Sequence, residues 1–367
     1  MGISDVRVLF RVDASLVVGS GHLMRCLTLA RQLQEQGAHL TFACRDLPGA
    51  PLQLIPAEYE LLRLPALASA AVTAAEAAID GAADSRALAQ QLGGRQFDWC
   101  VIDHYGLDAL WHRNARGFAR HLMVIDDLAN RPLDCDLLLD QGFDDQSSAR
   151  YAPWLQQPAQ ALFGPEFALL REEFLLARAR TAPRSGALQR VLVFFTGGDD
   201  GGELFKALQA LVGWRAEVQV DVVIGAAHPQ GSQLAALCQT QGWQLHCQID
   251  YMARLLAEAD LVIGAAGSSS WERCALGVPA LVAVLADNQR SLAAGLHSLG
   301  AAINLGDSAA LTPGDYRRAL DGLDATQLAA LSVRGWALVD GLGAGRVSLA
   351  MLDILARPQA LAAEGRH

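Results

Sequence analysis

Short apolar segments alternate along the chain with longer segments in which apolar residues recur at every third or fourth position. A strand is predicted at residues 6–12, an amphipathic helix at residues 21–36, and a second strand at residues 38–44. Strands that alternate with helices in this way are typical of βαβ units, which build parallel sheets. The opening of the chain therefore predicts an α/β fold.

The same alternation continues through the first half of the chain. Further strands are predicted at residues 59–64, 97–103, 121–126 and 136–140, and helices at residues 74–92 and 107–120. In an open α/β sheet the carboxyl ends of the strands face the ligand crevice. The polar residues that follow these strands are therefore expected along one edge of the sheet; they are Asp13, Asp103, His104, Tyr105, Asp126 and Asp127.

A second cycle begins at Arg190 with RVLVFFTGGDDGG, a strand followed by a glycine-rich turn and a helix. Its later strands are predicted at residues 218–224, 243–247, 260–263 and 280–284, and the pattern beyond Leu311 is helical and includes residues 343–356. Since 367 residues exceed one ordinary domain, we expect two Rossmann-like parallel-sheet domains facing each other across a cleft. The predicted division is a first domain at residues 1–162, a linker at 163–187, a second domain at 188–356 and a polar tail at 357–367.

Composition excludes several classes of function. The net charge of −10 argues against a nucleic-acid partner, because phosphate neutralisation needs clustered Lys and Arg. No run of about 18 uninterrupted apolar residues occurs, so membrane insertion is not expected. The opening MGISDVRVLFRVD lacks the basic and apolar regions of a signal peptide. The expected location is therefore cytoplasmic.

Seven cysteines are spread along the chain without any CxxC pair, which predicts neither a disulfide framework nor a zinc knuckle. No group of His, Cys and carboxylate residues has the spacing of metal ligands, so no metal is expected. The first glycine-rich loop does not have the GxGxxG spacing of a dinucleotide site, and no NAD is expected. The sequence thus predicts an activity without cofactors.

The loop VVGSGHLMR could bring a bound group close to the start of a helix. Gly19 and Gly21 permit a tight turn and close backbone approach, and a helix N-terminus suits an anionic ligand. His22 lies in the first helical turn, where the helix dipole disfavours the imidazolium ion, so one ring nitrogen can act as a general base. A capping or packed histidine is the alternative. Arg25 could hold a phosphate or a carboxylate, or it could be a solvated helix residue.

The segment CVIDHYG places polar residues directly after a buried strand. Asp103, if it turns inward, could orient His22 or a water molecule, and Tyr105 could donate a hydrogen bond to a sugar or phosphate oxygen. A strand-terminal turn with solvated polar groups is the alternative. Asp13, at the end of the first strand, is the other carboxylate that could assist His22 or replace it as the base.

The second half offers small and polar residues where a phosphate would meet a helix start. Glycines permit close backbone approach, serine hydroxyls suit phosphate oxygens, and a glutamate could accept both hydroxyl protons of a ribose. The candidate residues lie in FTGGDDGG and in GAAGSSSWERCALGVPALVAVLADNQ; they are Gly197, Gly198, Ser268, Ser269, Glu272, Asn288 and Gln289.

These motifs resemble those of the two-domain GT-B nucleotide-sugar proteins. GAAGSSSWERCALGVP and DNQ are similar to the UDP-binding region of the lipid II N-acetylglucosaminyltransferase group. In the first half, FRVDASLVVGSGHLMRCLTLA, VIDHYG, VIDDLANRPLDCDLLLDQ and FGPEFALLREEF resemble the UDP-2,4-diacetamido-2,4,6-trideoxy-β-L-altropyranose hydrolases of pseudaminic acid biosynthesis. Four such motifs in the same order make a chance resemblance improbable.

The resemblance implies metal-independent hydrolysis of a UDP-sugar to UDP and free sugar, with inversion at the anomeric carbon. The family's base falls on His22 and its DHYG tyrosine on Tyr105, whereas the UDP-binding positions fall on the candidates of the second half. Trp271 stands where some members carry Asn before the glutamate. A UDP-sugar glycosyltransferase, a non-hydrolysing epimerase and a non-catalytic nucleotide-sugar-binding protein are the alternatives. The acidic balance disfavours a membrane-facing transferase. The stereochemistry of the sugar and the oligomeric state stay open.

Overall fold

The computed structural model of the chain describes residues 5–15, 18–65, 79–143, 146–196, 198–215, 217–226 and 228–357. Within these residues, seven strands form a first parallel sheet in the order β3-β2-β1-β4-β5-β6-β7. The strands are β1 (Arg7–Val12), β2 (His39–Arg45), β3 (Glu60–Leu64), β4 (Phe97–Asp103), β5 (Ala119–Ile125), β6 (Leu137–Asp140) and β7 (Gln160–Phe163). The helices along this part of the chain are α1 (Gly21–Glu35), α2 (Gly81–Leu92), α3 (Ala109–Ala115), α4 (Ser147–Tyr151) and α5 (Glu172–Arg178).

In the remainder of the described residues, six strands form a second parallel sheet in the order β10-β9-β8-β11-β12-β13. The strands are β8 (Arg190–Phe194), β9 (Gln219–Ile224), β10 (Gln244–Cys247), β11 (Leu261–Ala265), β12 (Ala280–Val284) and β13 (Ile303–Asp307). The helices are α6 (Glu203–Leu211), α7 (Gly231–Gln241), α8 (Met252–Glu258), α9 (Ser269–Ala275), α10 (Arg290–Ser298), α11 (Pro313–Asp321), α12 (Ala325–Leu338) and α13 (Gly343–Ala356). The prediction of two Rossmann-like parallel-sheet domains is confirmed.

The central strands are buried on both faces, which explains their continuous apolar sequences. In β1, Val8 and Phe10 pack on one face of the sheet with α1 residues such as Leu29. Leu9 points to the other face, where it joins a cluster that contains Trp111 of α3. Helices therefore cover both faces of the first sheet.

Three predicted elements differ from the structure in their extent or their surroundings. The helix predicted at residues 107–120 spans only Ala109–Ala115, and β5 begins at Ala119. The helix predicted at residues 74–92 begins at Gly81, where Asp80 caps it by accepting two backbone N–H bonds, and residues 66–78 lie outside the described residues. α13 has the predicted bounds, but Val347 and Met351 of this helix pack in the core of the first sheet. The last helix thus returns to the first sheet, although the predicted division assigned it to the second domain.

The segment between the two sheets is packed against its neighbours. Phe174 of α5 is fully buried in a core cluster of the second domain. Gly343, at the start of α13, lies so close to the connector that a Cβ atom there would be 2.3 Å from the carbonyl oxygen of Ala168. Only glycine fits this approach. The exact domain boundaries stay a prediction.

Both sheets have a topological switch point, which is where open α/β sheets bind their ligands. In the first sheet it lies between β1 and β4, whose ends are level because Val12 pairs with Asp103. In the second sheet it lies between β8 and β11, where Phe194 pairs with Gly264. The loops that follow these strands approach each other, since a Cβ atom on Gly21 would lie 3.6 Å from Ser268 Oγ. The two domains therefore face each other across a cleft at their switch points.

Candidate active site

The first helix and the end of β4 bring three charged or titratable side chains together. His22 Nδ1 lies 2.5 Å from Asp103 Oδ1. Arg25 contacts the same carboxylate with Nε and Nη2, both at 2.6 Å. Asp103 is fully buried. Burial alone would raise the pKa of its carboxyl group, but the adjacent Arg25 and His22 outweigh that effect and lower it, so Asp103 is a carboxylate near neutral pH.

Two contacts decide whether Nδ1 of His22 carries a proton, one with Asp103 Oδ1 at 2.5 Å and one with Arg25 Nη2 at 3.1 Å. A carboxylate only accepts hydrogen bonds and a guanidinium group only donates them, so the shorter contact with Asp103 places a proton on Nδ1. A neutral imidazole with its proton on Nδ1 carries its lone pair on Nε2. The arrangement is that of a histidine whose Nδ1–H is held by a buried carboxylate, which is itself paired with Arg25.

Tyr105 contacts His22 through its ring and not through its hydroxyl group. The two rings meet edge to face, with centroids 4.7 Å apart and an interplanar angle of 83°. The hydroxyl group donates a hydrogen bond to Asp127 Oδ1 at 2.6 Å. Burial and the neighbouring Asp127 raise the pKa of the Tyr105 phenol, so it stays neutral. In this structure Tyr105 orients the histidine ring and Asp127 orients Tyr105.

Asp13 belongs to a different group of buried charges. Its carboxylate accepts two hydrogen bonds from Arg11, at 2.7 and 3.0 Å, and one from the backbone N–H of Arg45 at 2.8 Å. His104 Nε2 lies 3.2 Å from the same carboxylate. Burial alone would raise the pKa of Asp13, but Arg11 and His104 lower it. A carboxylate that accepts this many hydrogen bonds is a weak base. Asp13 is therefore suited to hold the neighbouring side chains and backbone in place.

The loops of the second domain place small and hydroxyl-bearing residues opposite His22's helix. Ser268 is exposed at the cleft, next to Gly21. On the side of the first domain, Gly19 has a positive φ of 79°, which favours glycine in the tight turn before α1. Gly198 follows β8, and its N–H lies 3.3 Å from Thr196 Oγ1, whereas Gly197 lies outside the described residues.

Glu272 and Gln289 lie on neighbouring loops of the second domain. Glu272 Oε1 is 3.5 Å from Arg171 Nη2, in the connector before α5, and burial raises the pKa of the Glu272 carboxyl group in spite of that arginine. Gln289 Oε1 accepts a hydrogen bond from the N–H of Leu285 at 3.0 Å. Asn288 is exposed on the same short turn.

Three residues at this site had no role assigned to them from the sequence. Asp127 holds Tyr105, Arg171 pairs with Glu272, and Arg273 lies buried beneath the serine loop. Asp127 was expected at this edge of the sheet, because it follows a predicted strand, but only the structure gives it a partner. No local sequence pattern marks Arg171 and Arg273 as site residues, since an arginine next to a glutamate usually indicates a solvated helix face.

Among the described residues, no three side chains of His, Cys, Asp and Glu come together as metal ligands would. None of the helices described is long and apolar enough to cross a membrane.

A surface cleft of about 730 Å³ lies at the amino ends of β8 to β10, lined by Trp214 and Trp243 among others. It is at the edge of the sheet opposite the switch point, away from the candidate site.

Comparison with known proteins agrees with this architecture. The pattern of the Glycosyltransferase family 28 C-terminal domain matches residues 192–328. A UDP-2,4-diacetamido-2,4,6-trideoxy-beta-L-altropyranose hydrolase from Campylobacter jejuni is 27% identical over 46% of the chain and 53% of its own length. The spore coat polysaccharide biosynthesis protein SpsG from Bacillus subtilis is 27% identical over 52% of the chain and 58% of its own length. The matches thus span little more than half of each curated relative.

A solved structure covers nearly the whole chain. The crystal structure of MurG from Acinetobacter baumannii has a TM-score of 0.62 and 17% sequence identity, and it covers 95% of this chain and 99% of the other. At a sequence identity of 17%, the match is evidence for the fold alone. The prediction of a GT-B-like fold is confirmed, and the chain is similar to nucleotide-sugar proteins of that fold.

Proposed function

We propose that the protein transfers a sugar from UDP to an oxygen nucleophile, with His22 as the general base. The observation that carries this proposal is the His22–Asp103 contact of 2.5 Å at the start of α1, across the cleft from the serine loop of the second domain. A neutral imidazole held by a carboxylate accepts a proton from a hydroxyl group. The glycine and serine loops on the other side suit a diphosphate.

The proposed reaction is a single displacement at the anomeric carbon. The nucleophile's oxygen forms a bond to the anomeric carbon while the bond from that carbon to the UDP oxygen breaks. The proton of the nucleophile passes to Nε2 of His22 and later to solvent, and UDP leaves with the bonding electron pair. Attack from the side opposite the leaving group inverts the configuration of the anomeric carbon.

The second domain would hold the UDP. Ser268 and Ser269 offer hydroxyl groups at the start of α9, and Glu272 would accept hydrogen bonds from the ribose hydroxyls. Stabilisation of the departing diphosphate by such donors is worth several kcal/mol in enzymes of this kind of chemistry. UDP is a good leaving group, so the mechanism does not need a strong general acid.

The first candidate for the nucleophile is a hydroxyl group of a second molecule, because the second domain matches a glycosyltransferase family pattern over residues 192–328. The second candidate is water, which would make the protein a hydrolase of a UDP-linked 2,4-diacetamido-2,4,6-trideoxy sugar. The observation that favours water is the similarity to the Campylobacter jejuni hydrolase. His22 plays the same part in both reactions.

Nuclear magnetic resonance on the products would test the proposal. The protein would be incubated with the UDP-linked altropyranose and with UDP-N-acetylglucosamine, each with and without a hydroxyl-bearing acceptor. Free inverted sugar without acceptor identifies hydrolysis, and a new glycoside that forms only with acceptor identifies transfer. An unchanged UDP-sugar that nevertheless binds would overturn the proposed catalysis and indicate a binding protein, whereas an epimerised UDP-sugar would indicate an epimerase.

A further inference from the structure

Arg273, the residue after Glu272 on α9, is an almost fully buried arginine with neutral hydrogen-bond partners. Its exposed fraction is 2%. Nη2 donates to Ser270 Oγ at 2.7 Å and to the carbonyl oxygen of Ala265 at 2.9 Å, and Nη1 donates to Ser269 Oγ at 3.3 Å. Among the ion pairs of the described residues, none joins Arg273 to a carboxylate. Its positive charge therefore lies directly beneath the serine loop.

A buried charge whose hydrogen-bond partners are all neutral is unfavourable. Burial lowers the pKa of Arg273 to about 10, although Cys274 and Glu272 act in the opposite direction. An apolar side chain would fill this position without that penalty, so the charge itself requires an explanation.

Arg184 provides the contrast within the same domain. Its guanidinium group also has backbone partners, including the carbonyl oxygens of Leu256, Ala257 and Leu276 at 2.9 to 3.0 Å. Leu256 and Ala257 lie in the last turn of α8 and Leu276 directly follows α9, where helix ends carry partial negative charge. The charge of Arg184 is therefore offset by the helix ends that it contacts, whereas Arg273 contacts no helix end of this kind and forms no ion pair with Glu272 among the described residues.

We propose that Arg273 is the positioning residue for the diphosphate of the bound nucleotide. A serine oxygen that accepts a hydrogen bond from the guanidinium group directs its own hydrogen elsewhere. Ser269 would thus turn its hydroxyl hydrogen toward the phosphate oxygens, while buried Ser270 holds the guanidinium group in place and Arg273 supplies the counter-charge from beneath the loop. This inference rests on the proposed function, since it assumes that the serine loop binds the diphosphate.

Calorimetric titration with UDP and with uridine tests the inference, because only UDP carries the phosphates. In Arg273→Met we expect UDP affinity to fall roughly 10- to 100-fold, as for the loss of hydrogen bonds to a charged group, while uridine affinity stays within about twofold. Arg273→Lys should recover a large part of the loss. Ser270→Ala is a small change that is compatible with the fold. It should lower the affinity for UDP several-fold and change the affinity for uridine little.

Arg184→Lys is the matched control, because it alters a buried arginine of the same domain and should leave the preference for UDP over uridine unchanged. If Arg273→Met does not fold, Arg273→Lys and Ser270→Ala decide the matter. An unaltered preference for UDP in the folded variants, or an equal loss of UDP and uridine, would overturn the inference alone. Wild-type protein that binds neither ligand would overturn the proposed function as well.

Discussion

Replacement of His22 by asparagine is the most direct test of the proposed base. The amide nitrogen of asparagine can donate a hydrogen bond to Asp103 in place of Nδ1, so the buried carboxylate keeps a donor besides Arg25. Asparagine has no group that takes up a proton near neutral pH. His22→Asn therefore removes the proposed chemistry and retains the local hydrogen bonding.

The expected loss of activity is larger than the expected loss of stability. General-base catalysis is worth about 10²- to 10⁴-fold in rate, which corresponds to about 2.7 to 5.4 kcal/mol of activation free energy. The structural cost is the edge-to-face contact with Tyr105, since the rings meet at 4.7 Å, and such contacts are worth about 0.5–1.5 kcal/mol. A folded variant with strongly reduced kcat is therefore the predicted result.

Turnover would be followed by UDP release in the wild type and in two variants. His39→Asn is the control, because His39 is exposed at the amino end of β2, which is the edge of the sheet opposite the cleft. Circular dichroism and thermal unfolding verify the fold, and calorimetry verifies that UDP affinity is unchanged. If folded His22→Asn turns over within a few-fold of wild type, His22 is not the base.

Three further predictions concern the ribose contact, metals and pH. Glu272→Ala should weaken UDP binding roughly 10-fold or more in calorimetry, because a hydrogen-bonding charged group is lost; an unchanged affinity would remove Glu272 from the ribose role. EDTA should leave turnover intact, whereas loss of turnover that Mg²⁺ restores would indicate metal-assisted chemistry. Burial raises the pKa of Asp140 from 3.8 to about 6, so the folded protein holds this proton more tightly than the unfolded chain. Its contribution to stability is complete below pH 3.8 and is lost as the pH rises to about 6. Urea titrations of Asp140→Asn should show a smaller loss over that range, and an equal loss in both proteins would contradict the assignment.

The strands that are central and long were predicted from local patterns. β1 and β11 are buried along nearly their whole length, and such strands leave continuous apolar runs in the sequence. β7 and β13 were not predicted. Each is short and only partly buried, and the pairing of β12 with β13 is irregular between Val282 and Ala283. Their sequences therefore lack both the continuous and the alternating pattern.

The partners of individual side chains were harder to predict than the elements that carry them. The loop sequence placed His22 and Asp103 at one edge, and the structure brings them into contact. The sequence also placed Asp13 at this edge of the sheet. In the structure, however, Asp13 forms a buried ion pair with Arg11, which lies two positions before it in the chain. That pairing also involves Asp84 of α2, which is distant in sequence, so no local pattern indicates it.

The charges around the cleft differ between the two domains in a way that bears on where each part of a UDP-sugar would lie. In the first domain the carboxylates at the ends of β1 and β4 are matched by Arg11 and Arg25, so each of these two carboxylates next to His22 or its loop has a counter-charge. In the second domain Arg273 has only neutral partners. An anionic diphosphate is attracted to the unmatched charge, whereas a histidine that has to stay unprotonated is best placed in neutral surroundings. On the proposed function, the diphosphate would therefore lie in the second domain and the proton transfer would take place in the first.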